Sequence, residues 1–304
     1  LHLYNHENFI ELLNNRLYGE AWAMWDKGLT QQEINREFDT IPRWDGSDLT
    51  GKNILVWAEG LVGDQVMFCS LIKSLIKKNP KNITLELDQR LIKLMKRSFY
   101  SNKKCSINYI PFKQWKIASH YFDVQVSMGS LMRYLKFSPK LIEERESYLK
   151  VDDKVLIEKK IQYRELSEGR KIVGLSNIGR EVVPFTMFQQ LINNTDLFFI
   201  NIDKVPGNYP NTFIDSEVDE TGSIDELTTQ IAACDDIVCF DNKVVHIAGA
   251  LGKTTRLILQ PDCDWRWLKD RKDSIWYTNV TLYRLLQDKN NSIPEIMKKI
   301  SEEF

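Results

Sequence analysis

The sequence predicts an α/β protein made of two doubly wound halves facing each other across a cleft, with a short helical segment in front. Three observations carry this expectation. Asp236-Ile237-Val238-Cys239-Phe240 is an apolar, β-prone run that passes through Asp241-Asn242-Lys243 into a short helix of small residues ending at Gly252. Earlier, Val56-Trp57-Ala58-Glu59-Gly60-Leu61-Val62-Gly63-Asp64 makes a second strand-to-helix turn of the same kind. Around both, β-prone runs alternate with stripes of helical period, as parallel α/β units require.

Residues 7–37 read as helical, because Phe9, Leu12, Leu13, Leu17, Ala21 and Trp25 share one face. This segment is either the last helix of a repeat array or a plain N-terminal cap. Pro42 and Asp45-Gly46-Ser47-Asp48 end it. The first half then runs as a strand at 53–58, a helix at 65–78 with an apolar stripe from Val66 to Ile76, a strand at 83–87, a helix at 89–99, and strands at 106–110 and 123–127. Charge density rises at Val151-Asp152-Asp153, which marks the crossing into the second half through a polar helix ending near Glu168. Strands at 171–176, 197–202, 236–240 and 255–259 follow, with helices at 184–194, 223–234 and 244–251 between them. Ser292-Ile293-Pro294-Glu295 opens a final helix with a capping signal and with Pro in its first turn. The expected division is 1–45, 46–150, 151–288 and 289–304.

Composition allows two cores of ordinary size, since 43% of the 304 residues are hydrophobic. With 41 basic and 42 acidic side chains, the net charge of -1 offers no field for nucleic acid. The five cysteines, Cys69, Cys105, Cys234, Cys239 and Cys263, form no C-x-x-C spacing and read as reduced thiols of a cytoplasmic protein. Without an apolar run of about 18 residues or a charged-then-apolar leader, the expectation is a soluble chain with no integral membrane association. Leu1 in place of Met hints that residues have been removed upstream. Adjacent Asp235 and Asp236 point to opposite sides of a strand entry, and no metal-ligand spacing appears, so no metal is expected.

The 236–252 stretch brings backbone N–H groups to one point at a strand's carboxyl end, which suits a phosphate. Asp241, Asn242 and Lys243 are therefore candidate donor-binding residues; the alternatives are Asp241 as a helix cap and Lys243 as a solvated surface lysine. His246 stands on the first turn of the same helix, either near a bound phosphate or as a satisfied core residue. Arg180, in the loop Ser176-Asn177-Ile178-Gly179-Arg180, is the candidate cation beside it, with a surface salt bridge as the alternative. Trp265, Arg266, Trp267, Arg271, Trp276 and Tyr277 form an aromatic and basic cluster read mainly as core, with stacking on a nucleobase as the alternative, and Arg90, Lys93 and Arg97 read as a solvated helix face, with contact to an anionic acceptor as the alternative.

A resemblance adds to this reading. Trp44-Asp45-Gly46-Ser47, Leu49-Thr50-Gly51-Lys52, Glu59-Gly60-Leu61-Val62-Gly63-Asp64, Phe122-Asp123-Val124 through Leu131, Tyr148-Leu149, Val173-Gly174-Leu175-Ser176, Asp241 to Gly252, and Asp264-Trp265-Arg266-Trp267-Leu268 through Trp276-Tyr277 stand in an order that resembles bacterial glycosyltransferase modules associated with tetratricopeptide repeats. These modules are similar to the ADP-heptose:lipopolysaccharide heptosyltransferases. The resemblance implies the glycosyltransferase B fold, two Rossmann-like domains with a nucleotide-sugar between them, the acceptor side first and the donor side second. It also implies that the last helix packs back on the first domain.

Glycosyl transfer with inversion needs a base for the acceptor hydroxyl and positive charge for the leaving diphosphate. The resemblance gives Asp64 the role of base, with Glu59 as the stand-in and an ordinary helix cap as the alternative for Asp64. It also places the nucleotide-sugar at the Asp241 turn and matches His246 to an Asp-x-x-x-x-His element. Relatives carry a small residue where this chain has Asn242 and Lys243, and a longer basic loop where it has 176–184. The expected activity is an inverting, metal-independent glycosyltransferase without a cofactor, whose acceptor is a glycan, a lipopolysaccharide-type molecule or a protein. A degenerate member that binds nucleotide or glycan without turnover is the rival. An epimerase is a third reading, for which His2, His6, His120 and His246 are a thin supply.

Overall fold

The computed structural model describes residues 6–28, 41–100, 105–112, 121–139, 147–179, 183–204, 209–219, 222–285 and 292–304. The chain divides into two compact units, Leu1–Glu144 and Arg145–Phe304. Each unit is built on a parallel sheet.

In the first unit, β1 (Asn53–Trp57), β2 (Asn82–Leu87), β3 (Ser106–Pro111) and β4 (Val124–Ser127) lie in the order β3-β2-β1-β4. All three pairings are parallel. The chain steps outward from β1 to β3 and then returns to the other side of β1, so the direction of winding reverses between β1 and β4. The predicted helix at 65–78 is two helices, Val62–Cys69 and Ile72–Ile76. Ser70 and Leu71 donate to Met67 and Phe68 three residues back, which tightens the backbone and breaks the helix while the apolar stripe continues across it.

The N-terminal helices, His6–Asn14 and Tyr18–Gly28, are part of this first unit. Arg16 at φ 62° separates them. Phe9, Leu13, Ala21 and Trp22 are buried, and Trp22 meets Phe9 and Phe137 edge-on at 5.5 and 5.8 Å. The buried Asp26 carboxylate accepts from Arg43 and Arg133, each at 2.6 Å, from Tyr134 at 3.2 Å, and from the Ser130 hydroxyl. A buried carboxylate so paired is costly to disrupt from either side. These contacts make the helical segment a structural wall of the first sheet's unit. The expected helix beyond Gly28, to residue 37, lies outside the described residues.

In the second unit, β5 (Lys171–Ser176), β6 (Leu197–Asn201), β7 (Thr212–Phe213), β8 (Asp236–Phe240), β9 (Thr254–Leu259) and β10 (Val280–Arg284) lie in the order β10-β9-β8-β5-β6-β7. Counted from β5, this is the dinucleotide-fold order, with its reversal between β5 and β8. Every pairing is parallel. Strands β7 and β10 were not visible in the sequence. The core gathers Val173, Leu175, Phe188, Phe199, Val238, Phe240 and Ile258 on one side of the sheet.

Helix Ile293–Glu302 belongs to that same core. Its buried residues Ile296, Met297 and Ile300 pack with Phe188, Leu191 and Tyr283 of the second unit, which corrects the expectation that it crosses to the first. Its capping box is present as expected: the Glu295 carboxylate accepts from Ser292 N at 2.7 Å. The Tyr283 hydroxyl donates to Glu303, and Arg256 stacks its guanidinium 4.0 Å from the Phe304 ring. A crossing helix and a helix closing its own sheet show the same apolar period, so the sequence could not separate them.

Candidate functional site

The reversal point of the second sheet is the natural place for a ligand, because adjacent connections leave in opposite directions and open a crevice at the strands' carboxyl ends. Register brings Ser176 of β5 level with Cys239 of β8, and Leu175 level with Asn201 of β6. Two residues, Asp241 and Asn242, separate the end of β8 from the start of helix Lys243–Leu251. Asn242 is its N-cap, with Oδ1 accepting from Val244 N at 2.7 Å. The Nδ2 of Asn242 donates to the Ser176 hydroxyl at 2.7 Å and to the Ile178 carbonyl. Asn242 thus ties the two strands on either side of the reversal.

Beyond Ser176 the network continues to Asp203, in the turn after β6. One oxygen of its carboxylate accepts from Ser176 Oγ at 2.9 Å, Asn177 N at 2.7 Å and Ile178 N at 3.0 Å. Backbone amides in a turn that converge on one point make a concave anion cradle, and here a side chain of the protein fills it. Neither Ser176 nor Asp203 was singled out from the sequence. The available signal was an acidic residue just past the carboxyl end of a predicted strand.

Asp241 and Lys243 flank Asn242, each half-buried. Arg180 lies outside the described residues. His246 is 4% exposed, with Nδ1 3.0 Å from the Tyr277 hydroxyl and its ring stacked on Trp267 at 5.6 Å. Burial, and secondarily the Arg266 charge, push its pKa down to about 3. The imidazole is therefore neutral at physiological pH, and its contacts are those of a core residue. Gly249 explains how tightly this region is packed, since a Cβ there would come within 2.4 Å of the Tyr277 ring. Trp265, Trp267, Trp276 and Tyr277 are all buried, as core rings are.

The first unit has a matching device at its own reversal. Glu59, after β1, is 5% exposed and its carboxylate accepts from Gly129 N, after β4. A Cβ on Gly129 would meet that carboxylate at 2.5 Å, so only glycine allows the approach. Glu86 of β2, wholly buried, accepts from Ala58 N at 3.1 Å. Asp64 is the N3 residue of helix Val62–Cys69, and its Oδ2 accepts from Leu61 N at 2.7 Å, the reach-back half of a capping box. Gly60, at φ 67°, lies directly beneath it: a Cβ there would fall 2.3 Å from Asp64 Oδ2. Unlike Glu59, Asp64 is only partly covered.

Arg90 is held by Asp88 through two bonds of 2.9 and 2.8 Å. Among the described residues, no group of three or more His, Cys, Asp and Glu side chains is arranged to hold a metal ion. All five cysteines are free thiols, and burial pushes Cys69 and Cys234 up to about 12. No helix among the described residues is long and apolar enough to cross a membrane.

Two units, each with a parallel sheet and a reversal point, give this chain the α/β architecture of the glycosyltransferase B class. Among solved structures, a glycosyl transferase family 9 protein from Veillonella parvula matches at a TM-score of 0.57 and 10% identity, over 84% of this chain and 97% of that one. The E. coli ADP-heptose LPS heptosyltransferase II matches at 0.56 and 13% identity, over 82% and 98%. E. coli heptosyltransferase WaaC with ADP matches at 0.50 and 9% identity, over 83% and 99%. At these identities the likeness is one of fold. By sequence, Protein FlbA of Caulobacter vibrioides is 23% identical across 87% of this chain and 49% of that protein, so the chain spans about half the length of the curated relative it matches. No family model matches.

Proposed function

We propose that this chain is an inverting, metal-independent glycosyltransferase module that takes a sugar from a nucleotide-diphosphate donor to a glycan or protein acceptor. The observation that carries the reading is the β7-β6-β5-β8-β9-β10 order, which sets the N-terminus of helix Lys243–Leu251 beside the β5/β8 reversal. The amides there, together with Lys243, offer the leaving diphosphate positive charge without a metal. The fold neighbours support it, one of them, E. coli heptosyltransferase WaaC, solved with ADP. Arg180 is proposed as a further phosphate cation, and Asp241 and Asn242 as the turn that shapes the donor seat. Asp64 is the proposed base, being a partly covered carboxylate at a strand's carboxyl end. Glu59, buried on Gly129 N, suits the positioning of the β1 and β4 turns better than proton transfer. Five free thiols suit a reducing compartment, which supports a cytoplasmic site of action.

A second reading, binding without turnover, is favoured by the Asn242–Ser176–Asp203 network, which fills part of the donor side with the protein's own groups. A thermal-shift screen with ADP, GDP, UDP and CDP sugars, followed by a transfer assay on the best binder, tests both. A donor at 100 times its dissociation constant stabilises by about 2.7 kcal/mol. Binding with transfer supports the enzyme, binding without transfer supports the second reading, and no stabilisation by any donor contradicts both.

A further inference from the structure

We propose that Asp203 is an affinity-setting residue, an internal anion that occupies a phosphate position on the turn after β5. Three donors from consecutive residues, Ser176 Oγ, Asn177 N and Ile178 N, converge on one carboxylate oxygen at 2.7 to 3.0 Å. That arrangement is the one a phosphate oxygen would take. The inference rests on the donor seat proposed above and names what limits it. With this cradle filled, a nucleotide's phosphates are confined to the N-terminus of helix Lys243–Leu251.

Asp203 is also coupled to that seat. Its carboxylate holds the Ser176 hydroxyl, which accepts from Asn242 Nδ2 at 2.7 Å, and Asn242 Oδ1 caps Val244 N. A charge two hydrogen bonds from Asn242 lies well within a Debye length of about 8 Å, so it opposes any dianion at the helix start. The cradle's amides and the negative charge that blocks them are thus adjacent parts of one network. Removing the charge while keeping the acceptor should relieve that opposition and let phosphates bind more tightly at the helix start.

The test is calorimetric titration of the chain and of Asp203→Asn with inorganic pyrophosphate, with the four nucleoside diphosphates, and with the parent nucleosides. The expected result is about tenfold tighter binding of pyrophosphate and of the diphosphates to Asp203→Asn, with nucleoside affinity unchanged. Equal or weaker pyrophosphate binding to a folded Asp203→Asn overturns the inference. If Asp203→Asn melts early, Asp203→Ser, which vacates the cradle and leaves a small acceptor, carries the same expectation and the same refutation. Gain for pyrophosphate without nucleotide binding to either protein keeps the inference and refutes the donor seat. Equal diphosphate binding to both proteins, with no gain for pyrophosphate, keeps the donor seat and refutes the inference. No binding of any probe refutes both.

Discussion

Asn242 Nδ2 lies 2.7 Å from Ser176 Oγ, a bond that joins the carboxyl ends of β8 and β5 across the reversal of the second sheet. The same side chain caps helix Lys243–Leu251 through its Oδ1. One amide therefore serves both the fold and the proposed donor seat, and the two roles separate by substitution.

Asn242→Asp keeps an oxygen to cap Val244 but loses the bond to Ser176 and adds negative charge; Asn242→Ala loses both. The difference in stability between them should be the value of the cap, about 1 kcal/mol in favour of Asp. Nucleotide affinity should run the other way, weakest in Asn242→Asp because its charge faces the phosphates. Urea unfolding and calorimetric titration of both variants check the two orders.

Asp64→Asn should lower transfer by about 10²- to 10⁴-fold with donor affinity nearly unchanged, since an amide can still cap but cannot take a proton. Near-wild-type turnover with an unchanged melting temperature would mean that Asp64 only caps. Gly60→Ala tests the same carboxylate from below: a residue forced to φ 67° against Asp64 should lose about 1 kcal/mol or more of stability and displace the capping oxygen.

His246 predicts an acid arm in the stability curve. Its folded pKa of about 3 lies below the unfolded value near 6.5, so the neutral form favours the fold. Its contribution is complete above about pH 6.5 and falls as pH drops toward 3, by up to about 1.4 kcal/mol per pH unit. Denaturant titrations at pH 7, 6, 5 and 4 should show a steeper decline in the wild type than in His246→Gln. Parallel curves would mean that His246 is more solvated than its contacts with Tyr277 and Trp267 indicate.

Chelation should leave transfer unchanged, because the proposed positive charge comes from amides and Lys243. Activity lost in EDTA and restored by magnesium or manganese would overturn metal independence.

The parallel architecture was legible because strand and helix periods alternate cleanly, whereas the helix cap, read at Asp241, falls one residue later at Asn242, because Asp and Asn are equally good caps and the sequence does not fix where the first helical turn begins. The bonds that close each reversal were not. Glu59 meets Gly129, and Asp203 meets Asn177 and Ile178, only after strand order has brought distant turns together. His246 carried a phosphate reading because sequence spacing gives its turn but not which side of the helix packs on Trp267. The last helix was misplaced for a related reason: its apolar face was evident, its partner was not.

A crystal structure of the chain with the nucleoside diphosphate that stabilises it most tests the central claim most directly. The account predicts phosphates at the N-terminus of helix Lys243–Leu251, within hydrogen-bond reach of its first amides and Lys243. Phosphates seated instead on the Gly60 to Asp64 turn, or a second unit left empty at saturating nucleotide, would contradict it.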